Sequence, residues 1–215
     1  MRASPICPRC SGGLSAPGMW ADDWTCAAHG PVQPLAAAHP PAALWLRDVA
    51  ARASVPVWLP WPLPRGWLLS GVAEAGTPRT GPTGTVVALS GPNPAPDPAE
   101  PSEHPADLLL VAEQPGIGLG AHLAGLDDVD PGESVVSGAP HAKVRAGGHP
   151  AALWNVGCAT DRAAYVGEAA GVWLWLVMWP ATAGVLVLER LDLLDVRTAD
   201  VAVQPPAGAP SPRLL

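Results

Sequence analysis

The chain has 215 residues, enough for one ordinary hydrophobic core plus a small appendage. Its formal net charge of −7 at pH 7 disfavours a general nucleic-acid or anionic-membrane binder. Ten tryptophans and no phenylalanine make tryptophan the main aromatic filler of any core, while 28 prolines, 23 glycines and a single lysine, Lys143, suit a coding bias rather than a function.

The strongest chemical signal lies at the start. Cys7-Pro8-Arg9-Cys10 is followed by fifteen residues and then by Cys26-Ala27-Ala28-His29-Gly30. Two ligands separated by two residues can wrap one ion from a tight turn, and this spacing occurs twice. Pro8 pre-sets the first turn, Gly12 and Gly13 let the chain leave it, and Gly30 is the exit of the second. Trp20 and Trp24 between the knuckles suit a short hairpin of half-buried strands. The pattern predicts a zinc-ribbon-like domain over residues 1–38, with Cys7, Cys10, Cys26 and His29 as zinc ligands. Four protein ligands close the site, which is the arrangement of structural rather than catalytic zinc. Three local cysteines cannot all pair with one another, and Met1 to Pro5 lacks the apolar core of a secretory signal. Reduced, metal-binding cysteines then imply the cytoplasm.

Pro31 to Pro41 reads as a proline-rich linker, after which a helix is expected from about Ala42 to Arg52. Leu44, Trp45, Val49 and Arg52 are expected to share its broad side. Val55 to Trp67 carries four prolines, which exclude a regular helix or an inner strand. It should lie at a sheet edge or across a face, and Trp58, Trp61 and Trp67 are its candidate contacts for a protein or peptide partner.

Strands are expected at Trp67–Ala73, Thr85–Ser90 and Asp107–Gln114, the last buried on both faces. Between the second and third, residues 91–106 read as a disordered acidic, proline-rich loop. Gly116 to Ala121 matches G-x-G-x-x-A, but Gly125 cuts off the long helix that a dinucleotide site needs, so a turn fits better. The acidic stretch Asp127–Glu133 lacks the spacing of a calcium loop and reads as solvated. Lys143–Ala146 and Ala151–Asn155 form a strand pair turning at Gly147–Pro150. Cys158, with Asp161 nearby and His141 and His149 upstream, reads as a small buried hydrophobe rather than a nucleophile.

Ala169 to Leu188 is twenty residues without a charge, the length of a membrane span. Pro180 and Gly184 interrupt it, basic anchors are missing, and Trp173, Trp175 and Trp179 follow a period of two. A buried hairpin of Val172–Trp179 with Val185–Leu188 is expected instead. The fold class is therefore α+β: a zinc ribbon, then over residues 39–215 an antiparallel sheet with a packed helix.

The pieces CPRC, APG-W-DDW-C--HG, VPVW-PWPLP-GW, LLLVAE-PG-GLGA, PHAKV, GVWLWLVMWP and SPRLL together are similar to an uncharacterised family of small actinobacterial proteins. The resemblance implies a shared architecture and no established activity. Some members carry an automated phosphotransacetylase label, but those enzymes are larger α/β proteins, and the alternating strand–helix pattern is missing here.

Three function classes remain. The foremost is a non-catalytic interaction or regulatory protein. An enzyme would draw on Glu113, His141 and Lys143. Nucleic-acid binding through the ribbon lacks a basic patch, because Arg2 and Arg9 are offset by Asp22 and Asp23.

Overall fold

The computed structural model describes residues 4–19, 22–95, 105–132, 138–199 and 203–214. A small sheet joins β1 (Leu14–Ser15), β2 (Thr25–Cys26) and β3 (Gly30–Pro31). The large sheet begins with β4 (Trp58–Pro60), β5 (Leu68–Thr77), β6 (Gly81–Gly91) and β7 (Ala106–Glu113). It continues with β8 (Ala142–Ala146), β9 (His149–Val156), β10 (Ala163–Ala169), β11 (Val172–Trp179) and β12 (Asp192–Asp195). These nine strands lie in the order β4-β12-β8-β9-β10-β11-β7-β6-β5. All pairings are antiparallel except β12 with β8. With helices α1 (Ala43–Arg52) and α2 (Leu119–Ala124), the chain is a mixed α+β protein dominated by sheet.

Strand alternation divides the apolar residues into two layers. On one face β7 places Leu108 and Leu110, β6 Val87 and Leu89, and β11 Leu174 and Leu176. On the other, the same strands place Leu109 and Val111, Val86 and Ala88, and Trp175 and Val177. The unbroken run of β7 is thus buried on both faces although both of its neighbours are antiparallel. Each such Leu or Val contributes roughly 1.5–3 kcal/mol of burial energy. The first face is covered by α1, β4 and the 3₁₀ helix Ala181–Leu188. The second is covered by α2 and by Leu35, Ala38 and Leu214.

Several expectations need correction. The partner of β11 in its hairpin is β10, not Val185–Leu188, which is 3₁₀ helix. The true turn is Ala170-Gly171, with φ of 54° and 76°, a two-residue turn whose twist matches antiparallel strands. Past Pro180 the chain leaves the sheet, because β7 already occupies the other edge of β11. Helix α1 buries Leu46, Val49 and Ala50, spaced i, i+3, i+4, rather than the stripe drawn through Leu44. Leu44 is 64% exposed, and Trp45 stacks on His39 with ring centroids 4.4 Å apart. The turn at Gly147-Gly148 leaves His149 and Pro150 inside β9. Gly91 and Ala106 at the ends of the expected loop are strand residues; Trp20, Glu133 and residues 96–104 lie outside the described residues.

Residues 32–39 are not a free linker. Leu35 bridges Ala75 and Ile6, and His39 bridges Val72, so the segment runs along the open edge of β5. It carries the small sheet onto the second face of the large one.

Candidate metal centre

The ligand atoms of Cys7, Cys10, Cys26 and His29 all lie within 4.8 Å of one another. His29 Nδ1 is 3.6 Å from the sulfurs of both Cys7 and Cys26, and the sulfurs of Cys10 and Cys26 are 3.8 Å apart. The two turns achieve this by local backbone geometry. Cys7 N–H donates to Gly12 O and Ser11 N–H to Cys7 O, which curls the first turn around its sulfurs. Ser11 takes a left-handed φ of 56° to close it. At the second turn, backbone N–H groups of Ala28 and His29 point at the Cys26 sulfur, the former being the larger influence, and hold its pKa near 6. Cys7 is pushed the other way, to about 11, by burial first, against a backbone hydrogen bond from Arg9. The four residues could hold a metal ion, and the four protein ligands leave no position that the chain itself does not fill.

The cluster is anchored to the large sheet through the residues beside the ligands. The Arg9 guanidinium donates to the carbonyls of Gly116 and Ile117, at 3.2 Å for the latter. Ser11 Oγ lies 3.0 Å from His122 Nε2 on α2. The glycine turn that receives these contacts is pinned from below. Glu113, fully buried at the end of β7, accepts the N–H groups of Leu119 and Gly120 at 2.8 and 3.0 Å. Its carboxylate therefore sits at the α2 N-terminus, where a dinucleotide fold would place pyrophosphate, and α2 is only six residues long. Burial raises the Glu113 pKa to about 7 despite those donors, and the Asp130 charge adds to the rise. Asp130, in the stretch read as solvated, accepts from Gly116 N–H and the Trp173 indole.

The residues considered for catalysis do not converge. Glu113 is fully buried at the end of β7, while Lys143 is exposed on β8, four strand positions away in the sheet order. His141 is exposed and accepts from Asn155 N–H. The half-buried Cys158 thiol donates to Arg162 O.

Of the three tryptophans named as partner contacts, Trp58 and Trp67 are 2% and 4% exposed. They offer a partner no surface, because Trp58 packs in the first-face core and Trp67 lies against Gly91. Trp61 alone is half-buried. As the prolines require, the segment forms the edge strand β4. Sequence reasoning missed Arg9, Ser11 and His122 as anchors, because their partners are more than 100 residues away. Only the glycines at 116 and 118 hinted that something approaches the backbone there.

Fold and cluster together define a sheet-dominated α+β protein with an N-terminal Cys/His set that could hold a metal ion. The chain belongs to the family described as "Family of unknown function (DUF6758)", whose model matches residues 1–214. No curated protein and no solved structure matches it. Among the described residues, no helix is long and apolar enough to cross a membrane.

Proposed function

We propose that the protein is a non-catalytic interaction or regulatory module whose first 38 residues form a zinc ribbon holding one structural zinc. One observation carries this reading. Zinc at about 2.3 Å from sulfur and 2.0–2.1 Å from nitrogen in a tetrahedron sets sulfur–sulfur edges near 3.8 Å and sulfur–nitrogen edges near 3.6 Å. The cluster has a 3.8 Å sulfur pair and two 3.6 Å sulfur–nitrogen pairs. Three thiolates and one imidazole also favour zinc over the hard, oxygen-seeking cations. Bound there, zinc would supply a cross-link between the two turns. Arg9 and Ser11 then transmit that rigidity to the turn before α2 and to α2 itself. Thiolate ligands need a reducing compartment, so the proposal includes a cytoplasmic location.

The partner surface in this reading is Trp61, which lies beside Arg145, Arg190 and Asp192 at the start of β12. A half-buried indole among charges suits a protein or peptide contact. The reading is tested by metal analysis of protein purified without chelator. One zinc per chain is expected, and none in Cys26→Ser; a metal-free wild type contradicts it.

A further inference from the structure

The second face of the large sheet is hollow at one place. Between the metal loop and the sheet lies a cleft of about 400 Å³, toward the small end of the range for small-molecule sites, roughly 300–1,000 Å³. Its floor is Ala73 of β5 and Val86 of β6. Small residues recur on this face at Ala75 and Ala88, whereas the opposite face of the same two strands carries Leu69, Val72, Val87 and Leu89. The missing side-chain volume leaves the space. The walls are aliphatic: Ile6, Leu35, Leu119, Leu123 and Leu214.

The polar lining is short and of one sign. Among the described residues it consists of Ser4, Ser11, His122 and Arg213, with no carboxylate side chain. Arg213 and Arg162 each lie 5.0 Å from the Trp179 ring, so two guanidinium groups gather on one indole in a chain of net charge −7. Their acidic neighbours, Asp107 at 3.6 Å from Arg213 and Asp161 at 2.7 Å from Arg162, are not part of the lining. A ligand in the cleft therefore meets apolar walls and one cationic side chain, Arg213, whose guanidinium also faces Asp107 and Trp179. Ile6 and Ser11 flank the ligands Cys7 and Cys10, so one wall is fixed by the metal loop.

We propose that this cleft binds a small aliphatic monocarboxylate, its chain against the apolar walls and its carboxylate on Arg213. An ionised head on a guanidinium makes a charge-assisted hydrogen bond, and the chain replaces water against the apolar walls. The proposal does not depend on which metal the cluster takes.

Decanoate is the probe, titrated by calorimetry into the full chain after its zinc content is measured. Saturable binding of one decanoate per chain is expected. Decanol and decylamine should bind at least about tenfold more weakly, and Arg213→Gln should weaken decanoate by about ten- to a hundredfold, the range for a hydrogen bond to a charged group. Ala73→Leu should fill the floor and abolish binding. Ala38→Leu, at a partly buried wall position, gives a second filling variant should the first fail to fold. No saturable binding of decanoate to folded, zinc-loaded protein overturns the proposal, as does equal binding of decanol. Unchanged affinity in a folded filling variant also overturns it. Zinc-free protein that still binds decanoate contradicts only the zinc reading; zinc-loaded protein that does not bind contradicts only this one.

Discussion

The two faces of the large sheet are built by different means. The first is closed by large aliphatic side chains from α1, the 3₁₀ helix Ala181–Leu188 and the strands themselves. The second has a six-residue helix, an extended segment, the residues around Leu214 and the small sheet with its Cys/His cluster laid over it. What it lacks in apolar cover it makes up with polar pins: Glu113 under the α2 N-terminus, Asp130 on Gly116 and Trp173, and Arg9 and Ser11 from the metal loop. Burial is non-directional and tolerant, whereas polar pins depend on geometry and on protonation. The contrast teaches that closure of the second face depends more on geometry and protonation than closure of the first.

The largest expected effect removes the most deeply buried tryptophan of the second face. Trp175, fully buried against Gly120, should cost about 3–5 kcal/mol when changed to Ala, as measured by chemical unfolding. A cost below about 1 kcal/mol would mean that α2 and not the indole closes this layer.

Next comes Glu113. Its carboxyl titrates near 4.5 when free and near 7 when buried. Below about pH 4.5 both states hold the proton and nothing is lost. Between about 4.5 and 7 the unfolded chain ionises first, so the folded state loses stability as pH rises, and above 7 the loss is constant. The loss has an upper bound of about 3 kcal/mol. Unfolding of wild type and Glu113→Gln across this range should show the wild type losing ground as pH climbs; parallel curves would remove the pH-sensitive pin.

Arg9→Met should cost less, about 1–2 kcal/mol, because it strips the Gly116 and Ile117 carbonyls of a charged donor. It should also speed amide exchange at α2 without affecting α1. Smallest is Trp61→Ala, about 1 kcal/mol or less at a half-buried site. Trp58→Ala, in the first-face core, should cost about 3–5 kcal/mol, and equal costs for the two would deny Trp61 a free surface.

What the sequence made legible was local. The C-x2-C and C-x2-H spacings brought four ligands together because each turn spans four residues. The period of two in Trp173, Trp175 and Trp179 placed β11, and the prolines around Trp58 placed β4 at an edge. What failed was the choice between continuations of similar hydrophobicity. Val185–Leu188 is as apolar as a strand, but β10 and β7 already occupy both sides of β11. Ala170-Gly171 is a tight turn whose only signal is one glycine. Helix α1 offered two apolar stripes, and only the position of the sheet beneath selects Leu46 over Leu44. The anchors between residues 9–11 and 116–122 are set by tertiary contact, and periodicity carries no trace of them.

The central claim is that a metal at Cys7, Cys10, Cys26 and His29 holds one side of the second face. Amide hydrogen exchange on zinc-loaded and zinc-stripped protein tests it most directly. The account predicts lost protection on stripping at residues 6–35 and at α2, with α1, β4 and β12 unchanged. Protection unchanged throughout, or lost equally from both faces, would contradict it.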